Sequence, residues 1–204
     1  IVVLVKFDGM YAVKDAFYGR MWDLYKVDSL HAYGDYDEAC AFSHAAGIVI
    51  ESICQFTGIA DKKVIAHFDE WTTGMGLLYI KDKMPEVGTI FTTHATCIGR
   101  SICGNGKPLY DYLRGYNGDQ MASELNMQSK HSLEKAAALQ ADCFTTVSDI
   151  TAIECEQLLE RRPLVTPNGF EQNFVPTKGK FVPSREAARK TLLNVASSLL
   201  GYKM

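Results

Sequence analysis

Residues 91–100, FTTHATCIGR, set His94 and Arg100 where an apolar, β-rich run gives way to helical spacing. An imidazole and a guanidinium six positions apart could handle a proton and hold an anion at one edge of a site. If a helix begins near Ala95, Arg100 stands about one turn inside it and can reach back towards its N-terminal end. Free backbone N–H groups and a partial positive charge there favour phosphate or pyrophosphate. The plainer alternative is a satisfied histidine at a strand end followed by a solvated helix arginine.

A second cluster, His67-Phe68-Asp69-Glu70-Trp71, packs an imidazole, two carboxylates and an indole into five residues. Asp69 or Glu70 can cap a helix that starts near Trp71. Glu70 at the mouth of a pocket can instead accept hydrogen bonds from sugar hydroxyls, with Trp71 offering a flat apolar face. The third stretch, Val165-Thr166-Pro167-Asn168-Gly169, reads as a strand and a turn. In that turn Gly169 supplies an unusual backbone angle and Asn168 an exposed amide.

These groups need a scaffold that gathers them. Short, almost continuously apolar runs lie at Ile1–Phe7, Lys63–Phe68, Thr89–Thr93, Cys143–Ser148 and Leu164–Thr166, as suits strands of a parallel sheet buried on both faces. Helical spacing lies between and after them at Asp35–Thr57, Trp71–Lys83, about Gln120–Gln140, Asp149–Arg161 and Arg185–Leu200. The alternation predicts an α/β, Rossmann-like parallel sheet with helices on both faces. Ser148 or Asp149 caps the fourth of these helices, Asp35 or Asp37 the first, and VPTKGKFVPS reads as a connector. In such sheets ligands bind outside the carboxyl ends of the strands. That rule gathers His67 and Glu70, His94, Ser148, and Asn168 with Gly169 on one edge.

Composition narrows the classes. The chain has 204 residues, 47% of them hydrophobic, and a net charge of −3, with no basic stripe for a nucleic-acid backbone. The apolar start IVVLVKF is too short to span a membrane and lacks signal-peptide features, so no membrane partner is expected. Six cysteines without a C-x-x-C pair read as buried thiols of a reducing, cytoplasmic compartment. Gly74-Met75-Gly76 and Gly104-Asn105-Gly106 each lack the third glycine of a dinucleotide fingerprint, which disfavours a nicotinamide or flavin cofactor. P-loop, G-x-S-x-G and H-E-x-x-H motifs are also missing from these residues.

The segments AHFDEWTTGMGL, TIFTTHATCIGR, SLEKAAALQADCFTTVSDITAIECEQLLERRP and VTPNGF, in this order and at these gaps, resemble the first half of glycogen synthases of the animal and fungal type. The resemblance runs from residue 1 to about residue 175. It implies a retaining glycosyltransferase built of two Rossmann-like domains, with residues 1–204 forming most of the N-terminal, acceptor-side domain. The opening strand and glycine-rich loop would precede Ile1, and the nucleotide-sugar-binding domain would follow. Asp69 stands where the animal and fungal members usually have histidine, which points to a bacterial or otherwise divergent branch.

The implied reaction moves glucose from UDP-glucose to the non-reducing end of an α-1,4-glucan, with no metal and no cofactor beyond the donor substrate. The resemblance implies catalytic roles for His94 and Arg100 and substrate-binding roles for Glu70, His67, Asn168 and Gly169. Rival readings are a sucrose- or trehalose-forming enzyme of the same architecture and a glucan-binding module without chemistry. Self-association through an exposed sheet edge is also expected, and a homo-oligomer fits this reading.

Overall fold

The computed structural model describes residues 1–59, 63–172 and 175–201. The chain forms two compact units, Ile1–Pro167 and Asn168–Met204.

Four short strands build the sheet of the first unit: β1 (Ile65–Asp69), β2 (Gly88–Thr93), β3 (Cys143–Thr146) and β4 (Leu164–Val165). All pair in parallel in the order β1-β2-β3-β4. Each pair of neighbours is joined through helices: α3 (Gly74–Lys83) between β1 and β2, α4 (Cys97–Gly104), α5 (Gly118–Glu124) and α6 (Gln128–Gln140) between β2 and β3, and α7 (Asp149–Leu158) between β3 and β4. Before the sheet come α1 (Lys14–Tyr25) and α2 (Tyr36–Thr57). The second unit contributes α8 (Lys178–Leu200).

Burial alternates with period two along β1, whereas the central strands β2 and β3 end in continuously buried runs, Phe91 to Thr93 and Phe144 to Thr146. Ala66, Phe68, Phe91 and Phe144 are buried on the helix-covered face, and the rings of Phe91 and Phe144 stack with centroids 5.7 Å apart. Helix α2 is long and apolar enough to cross a membrane, yet Cys40, Ala41, Ser43, Ala45 and Cys54 on it are buried. Its approach to α3 depends on Gly76, whose N–H donates to Ser43 Oγ at 2.7 Å. A Cβ at that position would lie 2.5 Å from the Ser43 carbonyl oxygen. A second apolar cluster, Ile98, Ile102, Leu113, Met121 and Leu158, underlies α4, α5 and α7.

On the opposite sheet face the edge-strand residues Ile65, His67, Asp69 and Leu164 are exposed, while Thr92 and Thr145 between them are buried. The expectation of helices on both faces therefore holds for one face within this unit. Other differences have local causes. Ile1–Phe7, expected as a strand, has no regular structure through Lys6 and pairs with no described strand. A β-branched run becomes a strand only where a neighbour supplies the ladder. A 3₁₀ helix (Asp8–Val13) and α1, neither expected, follow it.

The helix expected near Gln120–Gln140 is two helices. Asn126 adopts φ 55°, a left-handed conformation that asparagine tolerates, and Met127 N–H returns to the Ala122 carbonyl at 2.7 Å. Helix α7 stops at Leu158, with Glu160 at φ 60°, before the Arg161 boundary and Pro163. Helix α8 begins at Lys178 rather than Arg185, carrying Pro183 inside it and absorbing most of the expected connector. The six cysteines are free, four of them buried, with Cys143 half-buried and Cys103 exposed.

Candidate functional site

The register Asp69↔Thr92 brings the carboxyl ends of β1 and β2 side by side. One further ladder bond, Glu70 N–H to the Thr92 carbonyl at 2.8 Å, carries the pairing past the strand. The backbone then turns sharply at Glu70, with φ 63° and ψ 165°. That region is essentially reserved for glycine and costs a larger residue about 1–3 kcal/mol.

Two sets of contacts hold the turn. The Thr73 hydroxyl accepts from Asp69 N–H at 2.7 Å and lies 2.8 Å from the Asp69 carbonyl oxygen. Glu70 Oε1 accepts from His94 N–H at 3.0 Å and lies 3.6 Å from Arg100 Nη2. One carboxylate thus joins the histidine backbone at the end of β2 to the guanidinium on α4. His94 Nε2 is 3.1 Å from Asp69 Oδ1, so the imidazole sits against a second carboxylate. His94 and Arg100 side chains are 38% and 62% exposed, open to a ligand rather than sealed in the core.

This geometry settles the capping question. Glu70 occupies the N-cap position of the 3₁₀ turn Trp71–Thr73 but makes no side-chain cap bond there, and the Asp69 carboxylate meets His94. The Trp71 ring stacks on Tyr36 and carries Lys130 Nζ 4.6 Å from its centre. That indole is engaged internally. Ser148 caps α7, accepting from Thr151 N–H at 3.3 Å, as expected. Asp35 is the N-cap residue of α2 without a side-chain cap bond, its carboxylate pairing with Lys130 at 2.5 Å.

The N-terminus of α4 departs from expectation. Three of its backbone donors, Thr96, Cys97 and Gly99 N–H, expected to be free for phosphate, are occupied from within. Thr96 N–H and hydroxyl both donate to Glu154 Oε1, at 2.8 and 2.7 Å, and Cys97 N–H donates to Glu134 Oε2 at 2.7 Å. Gly99 N–H donates to the Thr96 hydroxyl at 2.9 Å, the helix's own N-cap. The Thr93 hydroxyl donates to Glu134 Oε1 at 2.9 Å, and Tyr110 to Glu154 Oε2 at 2.9 Å. Both glutamates are buried. Burial pushes the Glu134 carboxyl up to about 7, with the Glu70 charge adding to the rise and the bonds from Cys97 and Thr93 opposing it. Burial, reinforced by Glu134, drives the Cys97 thiol well above its usual range.

The structure therefore unites Glu70, His94 and Arg100, adds Asp69, and supplies Glu134 and Glu154 beneath them. His67 lies within β1 rather than after it, on the exposed sheet face, with Nε2 2.7 Å from Thr92 Oγ1. Thr92 in turn meets Thr145 at 2.6 Å, so His67 heads a side-chain chain across three strands. Asn168 and Gly169 are exposed residues of the second unit, after β4. Glu134 and Glu154 were missed, although a signal existed. Each is a charged residue on the apolar side of its helix, with Leu158 four positions after Glu154 and Ala137 and Ala138 after Glu134, all buried.

A parallel α/β sheet with charged groups converging where adjacent strands end defines a class that takes ligands at its carboxyl edge. Comparison with known proteins narrows that class. The glycogen synthase family model matches residues 1–180, and the chain belongs to that family. It is similar to the liver glycogen [starch] synthase of Homo sapiens, 35% identical over 158 residues that make up 76% of this chain and 22% of the relative. The glycogen [starch] synthase of Neurospora crassa is 38% identical over 152 residues, 74% of this chain and 21% of the relative. That of Caenorhabditis elegans is 41% identical over 121 residues, 59% and 17% of the two chains. The chain spans about a fifth of the length of these relatives.

Proposed function

We propose that this segment forms the acceptor-side wall of a retaining glucosyltransferase that moves glucose from UDP-glucose to the 4-hydroxyl at the non-reducing end of an α-1,4-glucan. The observation that carries the reading is the strained Glu70, which ties the His94 backbone to Arg100 in a chain of the glycogen synthase family. Strain of this kind persists where a site needs one arrangement.

In this reading the departing diphosphate gains charge in the transition state and Arg100, exposed at the site, supplies positive field from this side. Because Thr96 and Cys97 N–H at the start of α4 are taken by Glu154 and Glu134, the guanidinium rather than the helix end does that work. The His94 imidazole, oriented by Asp69, lies beside the donor glucose, where its ring or carbonyl contacts a hydroxyl and the developing oxocarbenium-like charge. Glu70 keeps 26% of its side chain exposed, through which an acceptor hydroxyl can reach the carboxylate. His67 belongs to the acceptor side, and Asn168 with Gly169 to the donor glucose. The compartment is the reducing cytoplasm, a reading supported by six free thiols.

The test is a chimera in which this segment replaces the matching residues of the Neurospora crassa relative, assayed for incorporation of radiolabelled glucose into glycogen. Incorporation of glucose from UDP-glucose is expected. A folded chimera that binds glucan without transferring glucose would favour the glucan-binding module and overturn the reading.

A further inference from the structure

Glu134 on α6 and Glu154 on α7 come from helices far along the chain from residues 93–100, and both end on that segment. Between them they accept from Thr93, Thr96 and Cys97, taking two backbone N–H groups and two hydroxyls. We propose that this buried carboxylate pair positions the site, fixing the turn from β2 into α4 so that His94 and Arg100 meet Glu70. For its kinetic arm the inference rests on the function proposed above.

Ordinary capping does not require the pair, since Thr96 already serves as N-cap by accepting from Gly99 N–H. Two further carboxylates taken out of water are costly unless fully bonded, so their retention marks a turn that must not move. Room for Glu154 exists because residue 99 is glycine. A Cβ there would overlap Glu154 Oε1 and lie 2.7 Å from Thr96 Oγ1. The titratable groups around Glu134 are Cys97 on α4, Cys155 on α7 and Glu70 beyond β1, with Lys130 on its own helix acting on Cys97. Glu134 and Glu154 therefore place acceptor oxygens behind a backbone whose front carries His94 and Arg100. Those oxygens occupy N–H groups at the start of α4 and leave Arg100 as the anion-attracting group.

Amide hydrogen exchange on the chain itself tests the pair. Glu134→Ala should speed exchange at Cys97, and Glu154→Ala at Thr96, each by about ten-fold or more, while Phe91 and Phe144 in the strands keep their protection. Gln at either position retains a carbonyl acceptor and should restore slow exchange. In the chimera the Ala variants should lower kcat by about ten-fold or more with KM for UDP-glucose changed by less than about two-fold, and Gln should recover most of the loss. Unchanged exchange at Thr96 and Cys97, equal acceleration throughout the sheet, or normal kcat in the loosened variants would overturn the proposal. Should alanine prevent folding, Glu154→Asp, one methylene short of Thr96, carries the test. Faster exchange at Thr96 alone supports the proposal, and unchanged exchange overturns it. Exchange does not depend on glucose transfer, so an unmodified chimera without activity counts against the proposed function and leaves exchange to decide the role of the pair.

Discussion

Replacing Glu70 by alanine and, separately, by glycine isolates the backbone strain at the centre of the site. Both variants lose the carboxylate, and with it the bond from His94 N–H and the loose pairing with Arg100. The buried part of that loss is about 1.5–3 kcal/mol for a hydrogen bond to a charged acceptor, and the exposed ion pair adds less than about 1 kcal/mol. The variants differ only in backbone. At φ 63° and ψ 165° alanine keeps a penalty of about 1–3 kcal/mol that glycine lacks. Glycine gives back about 0.5–1 kcal/mol through the greater freedom of its unfolded chain. The net expectation is that Glu70→Gly is more stable than Glu70→Ala by about 0.5–2 kcal/mol, or roughly 1–8 °C in Tm for a unit of this size. At an unstrained position the order is reversed, so the sign alone is diagnostic. Urea melts on the two variants supply it, and alanine equal to or more stable than glycine would refute the strained turn.

Gly99→Ala, which in most helix interiors is favourable, should here cost about 2–4 kcal/mol because the new methyl displaces Glu154 from Thr96; urea denaturation against wild type measures it. The Glu134 carboxyl is raised from 4.5 to about 7 in the folded chain, so its contribution to stability is full below about pH 4.5 and is lost as pH rises through about 7. The unfolding free energy of wild type minus that of Glu134→Gln should therefore fall by about 3 kcal/mol across that window, and a flat difference would show that Glu134 does not titrate there. The 204-residue chain alone should incorporate no glucose above background into a glycogen primer, because a transition state with one wall keeps bulk water and loses most of its electrostatic preorganisation.

The central strands were legible because β1, β2 and β3 are short apolar runs bounded by polar residues, and the helices between them follow from spacing and the Ser148 cap. Ile1–Phe7 has the same composition and forms no strand, since local hydrophobicity carries no information about a pairing partner. Asn126 split one expected helix through a single left-handed residue, and α8 ran through Pro183 against local preference. Among the candidate residues, His94 and Glu70 were visible as polar residues at strand ends and Arg100 as an arginine one turn into the following helix. The conformation of Glu70 was not, because its positive φ is held by the distant His94 and Arg100 together with Thr73. The occupied helix end was missed for a related reason. Its partners lie 37 and 58 residues away, so only the fold reveals that the donors are spent.

Turnover against stability for His94→Ala and Arg100→Ala in the chimera tests the central claim most directly. Each substitution is at an exposed or half-exposed side chain, so melting should shift little, while glucose incorporation from UDP-glucose should fall by roughly tens-fold or more if each group contributes a few kcal/mol in the transition state. Normal turnover in either variant, or activity lost only in proportion to folded protein, would contradict the account and return FTTHATCIGR to a strand end with a solvated arginine.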